Sequence, residues 1–172
     1  MTERAGVVVV GAGPVGLLTA IELALGGVRV LVLERLEAPS TTIKALGVGP
    51  LGAEALQRRG MAGALAEAEA RNLAEMERFR SGSAWGRASG KVSGHFALLF
   101  IPMDPQREPE RRMRMVDQQS LESMLADRAR ALGIEVRRGC EVAGFAQDRE
   151  GIDLDWTSLA GGGRLQIGRA HV

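Results

Sequence analysis

Residues 7–35 read VVVVGAGPVGLLTAIELALGGVRVLVLER: an apolar run, a glycine turn, a helical pattern and a second apolar run that closes on an acid. The first run, Val7–Val10, is short and has no polar face, so a buried strand is expected. Gly11-Ala12-Gly13-Pro14-Val15-Gly16 leads directly into a helical apolar pattern through Leu17, Leu18, Ile21 and Leu25. Gly11 permits the tight turn, Gly13 leaves the main chain open to close approach, and Gly16 lets the helix pack closely on the strand. Pro14 suits the first helical turn, where no amide hydrogen is needed.

A helix that starts this way aims its unpaired amides and the positive end of its dipole at an anion, a term of roughly 0.3 to 2 kcal/mol. Glu34 lies about 20 residues beyond the glycines, at the end of the second run, where its carboxylate can accept hydrogen bonds from both hydroxyls of a ribose and would repel a 2'-phosphate. A glycine pattern by itself is weak. Strand, helix, second strand and terminal acid in this order point to the pyrophosphate and ribose of an adenine dinucleotide.

Composition sets the class. Apolar residues make up 45% and charged ones 25%, which is enough for a core, and the net charge of +1 gives no electrostatic pull toward nucleic acid or an acidic membrane. All basic residues but Lys44 and Lys91 are Arg, and they are interleaved with acids. Tyr is missing and aromatics are 3%, so no stacking platform for single strands is expected. Cys140 is the single cysteine, which leaves no internal disulfide and no cysteine-based metal cluster; a small buried hydrophobe is its expected role. No signal-like or membrane-length apolar stretch occurs, so cytoplasmic residence is expected.

Beyond Glu34, residues 38–44 form a polar loop, and Pro50 opens a helix through Leu51, Ala55 and Leu56 that Gly60 can stop. Residues 61–77 read as helix, 95–100 as a strand, and 102–109 as a proline-marked loop. Residues 113–116 read as a strand, 119–132 as a helix stopped by Gly133, and 134–138 as the next strand. A hairpin of 141–147 and 152–156 follows, turning at 148–151.

Three stretches carry a resemblance: GAGPVGLLTAIELALGGVRVLVLER, TTIKALGVGPLGAEALQRRGM and MVDQQSLESMLADRARALGIEVRRGCEVAGF. In this order they resemble the N-terminal part of the group A flavoprotein monooxygenases, the para-hydroxybenzoate hydroxylase-like family, over about Ala5 to Trp156. The resemblance implies an α/β, Rossmann-like FAD-binding domain with a mostly parallel sheet plus a β-hairpin, incomplete as it stands, over residues 1–165, with 76–112 an excursion toward a substrate domain. It implies FAD as the cofactor and NADPH or NADH as co-substrate. Gly11, Gly13, Pro14 and Gly16 would meet the pyrophosphate, Glu34 the ribose, and Arg35 the adenosine. Lys44 stands where relatives often carry an Arg that touches FAD or the nicotinamide nucleotide, and it lacks that residue's bidentate fork. Gln118 matches a glutamine that contacts the flavin's ribityl chain, with Gln119 as the alternative.

Other residues have plainer readings. His95 is expected on a strand surface, and Glu108, Glu110, Arg111 and Arg112 in a solvated loop. Trp85 and Trp156 are expected to pack, and Asp153 and Asp155 to share the face of an exposed hairpin edge. The implied reaction is hydroxylation of an aromatic or polyketide-like substrate by O2 and a reduced nicotinamide nucleotide, with no catalytic acid, base or nucleophile assigned. Residues 166–172, QIGRAHV, resemble a translated adapter and are read as a non-native tail outside the fold. After the hairpin, members of that family continue into an Asp-Gly and later a Gly-Asp motif, neither of which is present in this sequence, so the resemblance implies a fragment inactive alone. Two alternatives stay open: another FAD oxidoreductase sharing only the opening unit, or a non-catalytic nucleotide-binding module.

Overall fold

The computed structural model describes residues 3–42, 44–82, 94–96, 99–101, 112–158 and 161–168. Trp85, the 102–109 loop, Glu108, Glu110, Arg111 and His171 lie outside them. The chain divides into two compact units, 1–43 with 118–172, and 44–117.

The first unit is built around β2 (Val7–Val10), α1 (Pro14–Leu25), β3 (Val30–Glu34), α4 (Gln118–Ala131) and β6 (Glu135–Arg138). Its parallel sheet has the order β2-β3-β6, with Val10 opposite Leu33 and Glu34 opposite Arg138. Strand β3 has a neighbour on each side, and Leu31, Val32 and Leu33 are all buried. Alternation puts Val32 on the opposite face from Leu31 and Leu33. Helix α1 packs on β2 and β3 and against α4, burying Leu17, Ala20 and Ile21 of α1 and Met124, Leu125 and Ala129 of α4. Each such large apolar side chain contributes roughly 1.5–3 kcal/mol when fully buried.

Leu31 and Leu33 meet a second sheet with the order β1-β9-β8-β7, made of β1 (Glu3–Ala5), β7 (Cys140–Gln147), β8 (Gly151–Ser158) and β9 (Gly161–Gly168). Cys140, Leu154 and Leu165 complete that core, with Val142 and Trp156 packed against it, so the expected packing roles of Cys140 and Trp156 hold.

Several expectations are corrected here. The hairpin gains a third strand, β9, which pairs antiparallel with β8 and parallel with β1. Gln166 and Ile167, set apart as tail, run on in this strand beside fully buried Leu165. Asp155 is consequently not on an edge: β8 lies between β7 and β9, and Asp155 pairs with Arg164 across the sheet at 2.7 Å. Strand β2 is less buried than its sequence suggests, with Val10 61% exposed, because among the described residues it pairs only with β3.

The second unit holds α2 (Pro50–Leu56), α3 (Ala62–Gly82), β4 (Gly94–Phe96) and β5 (Leu99–Ile101). Between the helices Gly60 takes φ 78°, left-handed, and stops α2 as expected. The single strand expected over 95–100 is instead an antiparallel pair, with His95 opposite Phe100. The strand expected at 113–116 is reduced to one bridge between Val48 and Arg114. Ala53, Leu56, Met61, Leu65 and Ala68 form the buried face. No helix of the described residues is long and apolar enough to cross a membrane.

Candidate functional site: a dinucleotide cradle

The turn after β2 is held from three directions. Gly11 adopts φ 102°, which L side chains rarely adopt, and its amide donates to the carbonyl of Leu33 at 2.7 Å. A Cβ on Gly16 would lie 2.0 Å from the carbonyl oxygen of Gly11, so only glycine lets α1 sit this close to the turn. The amide of Ala12 donates to Glu34 Oε2 at 2.7 Å.

Gly13 is the N-cap of α1, in extended backbone, and no side chain caps the helix. Pro14 occupies the first turn, and no acid lies there to compete for the dipole. The amides of Val15 and Gly16 thus have no intrahelical partner. A Cβ built on Gly13 would meet nothing within 4 Å, so open space faces the main chain at the place where the helix is most electropositive.

Glu34 does more than the sequence reading assigned to it. Besides the Ala12 contact, its Oε1 accepts the amide of Leu36 at 2.9 Å, so each oxygen already holds one main-chain donor. A carboxylate has about four lone-pair sites, which leaves one on each oxygen for a ligand hydroxyl. Burial pulls the Glu34 carboxyl upward, but the Leu36 and Ala12 amides and the charges of Arg138 and Arg35 outweigh it and hold it below the usual glutamate range. The same acid therefore shapes the turn and stays ionised beside it.

A cavity of about 260 Å³ opens here, lined by Gly11, Glu34, Arg35 and residues Cys140, Glu141 and Val142 of β7. It lies at the carboxyl ends of β2 and β3, where open α/β sheets bind ligand. A larger one, about 450 Å³, opens at their amino ends between Arg4, Arg29 and Glu135. Among the described residues that end presents no uncapped helix start, so the smaller cavity is the functional candidate.

Of the expected site residues, the structure brings Gly11, Gly13, Pro14, Gly16, Glu34 and Arg35 together around this turn. Gln118 opens α4 in the same unit, half-buried, and its Nε2 donates to Glu122 Oε1 at 2.7 Å. Gln119 is exposed and reaches the carbonyl of Ser40 at 3.4 Å. Lys44 is exposed at the start of the second unit.

The second unit contains a group the sequence reading missed. Glu69 of α3, 5% exposed, takes Arg112 through both oxygens at 2.7 and 2.8 Å, and Arg114 at 2.9 Å. The amide of Met115 also donates to it, at 3.1 Å. Arg112, expected in a solvated loop, is instead half of a bidentate pair. The Arg112 hydrogen bond holds the Glu69 carboxyl below the usual range against the upward pull of burial, with help from the Met115 amide and the charges of Arg112 and Arg114.

With this geometry in view, the affiliation follows. Residues 4–168 match the family described as FAD binding domain, and the chain belongs to it. It is 38% identical over 162 residues to the 12-dehydrotetracycline 5-monooxygenase/anhydrotetracycline 6-monooxygenase of Streptomyces rimosus, a match covering 92% of this chain and 28% of that protein. To the rifampicin monooxygenase of Streptomyces venezuelae it is 35% identical over 161 residues, covering 93% of this chain and 29% of the relative. The solved OxyS anhydrotetracycline hydroxylase from Streptomyces rimosus superposes with a TM-score of 0.74 at 36% identity, over 96% of this chain and 30% of that one. The chain spans less than a third of the length of these relatives.

Proposed function

We propose that this chain is the FAD-holding portion of a cytoplasmic monooxygenase that uses NADPH or NADH and O2 to hydroxylate an aromatic or polyketide-like small molecule. The observation that carries the reading is the turn itself: uncapped amides of α1 facing open space over Gly13, with the ionised Glu34 bonded to Ala12 beside it. These donors suit a diphosphate, and the cavity at Glu34 suits the adenosine end.

In this reading Gly11, Gly13, Pro14 and Gly16 form the pyrophosphate seat, and Glu34 accepts from the ribose through its remaining lone pairs. Arg35 and the start of β7 border the adenosine. Gln118 meets the ribityl chain, and Lys44 supplies a cation toward the cofactor or the nicotinamide nucleotide. When bound, the flavin supplies the redox chemistry, accepting hydride from the nicotinamide and activating O2. The chain's own groups bind and orient it and shield it from water, so no acid, base or nucleophile is assigned among them. The names of the relatives, which act on tetracycline-type and rifampicin substrates, support the substrate class.

The test is a fluorescence titration of the purified chain with FAD, expected to show saturable quenching at one site. Absence of saturable binding would overturn the reading.

A further inference from the structure

Gln118 and Glu122 stand one turn apart at the start of α4, and the 2.7 Å bond from Gln118 Nε2 to Glu122 Oε1 runs along the helix surface. Glu122 is 8% exposed, and its Oε1 accepts from the Gln118 amide. A carboxylate offers acceptor oxygens only, whereas a glutamine amide carries a donor arm and an acceptor arm of nearly the same shape. Facing Glu122 therefore settles which arm goes where: the NH2 turns to the carboxylate, and the carbonyl Oε1 occupies the other arm. A hydrogen bond to a charged group is roughly twice as strong as a neutral one, enough to hold that orientation.

We propose that Glu122 is a positioning residue that makes Gln118 present a hydrogen-bond acceptor, selecting a hydroxyl-bearing ligand, the polyol chain of the flavin. This rests on the reading above that Gln118 meets that chain. Gln119 is exposed, and its amide reaches the Ser40 carbonyl at 3.4 Å rather than a carboxylate among the described residues.

The test compares FAD with ADP, which carries the adenosine and diphosphate but no polyol. Each is titrated into the purified chain by calorimetry. Glu122→Gln keeps the size of the side chain but can donate as well as accept, so it releases the orientation of Gln118. It is expected to weaken FAD about tenfold while leaving ADP unchanged. Gln118→Ala should produce the same loss, and the double variant no more than either, because both act through one contact. The exchange Gln118→Glu with Glu122→Gln rebuilds the bond with donor and acceptor reversed and still presents an acceptor, so it should recover FAD affinity. It also serves should Glu122→Gln alone fail to fold.

Equal weakening of FAD and ADP by Glu122→Gln would mark a merely structural role and overturn the inference, as would unchanged FAD affinity. If Gln118→Ala leaves FAD unaffected while Gly13→Val abolishes both ligands, the dinucleotide site stands and the roles of Gln118 and Glu122 fall. If the native chain takes neither ligand, the site reading fails and takes this inference with it.

Discussion

Two stretches of this chain, Gly11-Ala12-Gly13-Pro14-Val15-Gly16 and Gly47-Val48-Gly49-Pro50-Leu51-Gly52, share the pattern Gly-x-Gly-Pro-x-Gly, and each places its Gly-Pro pair at the start of a helix. Gly13 and Gly49 are both extended N-caps without a side-chain cap, and a Cβ on either would meet open space. What separates the two is the partner of the second residue. The Ala12 amide goes to the carboxylate of Glu34 at the end of a neighbouring parallel strand. The Val48 amide goes to the carbonyl of Arg114, in a bridge returned by the Arg114 amide. Only the first copy follows a strand and opens a 12-residue helix; the second opens one of seven residues and has no acid at its turn. The two turns thus differ in what fixes the second residue: a strand-end carboxylate in the first and a main-chain carbonyl in the second.

The largest effect expected in testing this contrast is on the second copy. Glu69→Ala removes the carboxylate shared by Arg112 and buried Arg114, which should cost up to about 3–5 kcal/mol. Hydrogen exchange at the Val48 amide should speed sharply while that at Gly11 stays protected. Equal loosening of both turns would mean that they are not independently held.

Next comes Gly16→Ala, whose Cβ would meet the Gly11 carbonyl oxygen at 2.0 Å. Urea unfolding should register a loss of about 3 kcal/mol, the upper part of the overpacking range. In the second copy a Cβ on Gly52 would meet a side-chain methyl, Cγ1 of Val48, at 3.0 Å and no main-chain atom beyond its own helix. Gly52→Ala should therefore stay within about 1 kcal/mol, with helix propensity offsetting the contact.

Gly13→Val sharpens the comparison on function alone. Its backbone is unstrained and its surroundings open, so the unfolding midpoint should barely move, whereas FAD affinity should fall at least about a hundredfold. Gly49→Val should leave FAD affinity untouched. A Gly13→Val chain that still binds FAD would move the phosphates elsewhere.

The smallest effect concerns Glu34. Its carboxyl is held below the usual range in the folded chain, so its contribution to stability is present above the ordinary glutamate pKa and is lost as the pH falls through the lowered folded value. The stability difference between the native chain and Glu34→Gln should therefore shrink on acidification below about pH 5, and stay under about 1 kcal/mol given the partial exposure of the group. A difference that grows on acidification would contradict the assigned amide and arginine contacts.

Much of the first unit was legible because its signals are local. The helix expected over 119–132 is found at Gln118–Ala131, and the hairpin expected over 141–147 and 152–156 at Cys140–Gln147 and Gly151–Ser158. The cradle was legible for the same reason: its glycines, proline and acid lie within one strand-helix-strand unit. Strand β9 was not, because three successive glycines give no apolar alternation and residues 166–168 read as tail. A Cβ on Gly162 would in fact lie 2.7 Å from the Trp156 carbonyl oxygen, and one on Gly163 3.2 Å from the Trp156 ring, so the glycines let β9 pack closely on β8. The Glu69 cluster was not legible either, since its partners lie 43 to 46 positions away and no periodicity links an acid on a helix to arginines that distant.

The sequence by itself determined the parallel strand-helix-strand unit and the uncapped glycine turn that opens its helix, because backbone sterics and amphipathic spacing act over a few residues. Tertiary structure alone decided that the Glu34 carboxylate takes the amides of Ala12 and Leu36, and that β2 is half-open while β3 is buried. It alone decided that Glu122 turns the amide of Gln118. Each of these depends on what the fold sets beside a residue: a neighbouring strand, a distant carboxylate, or burial that forces a charge to find its partner.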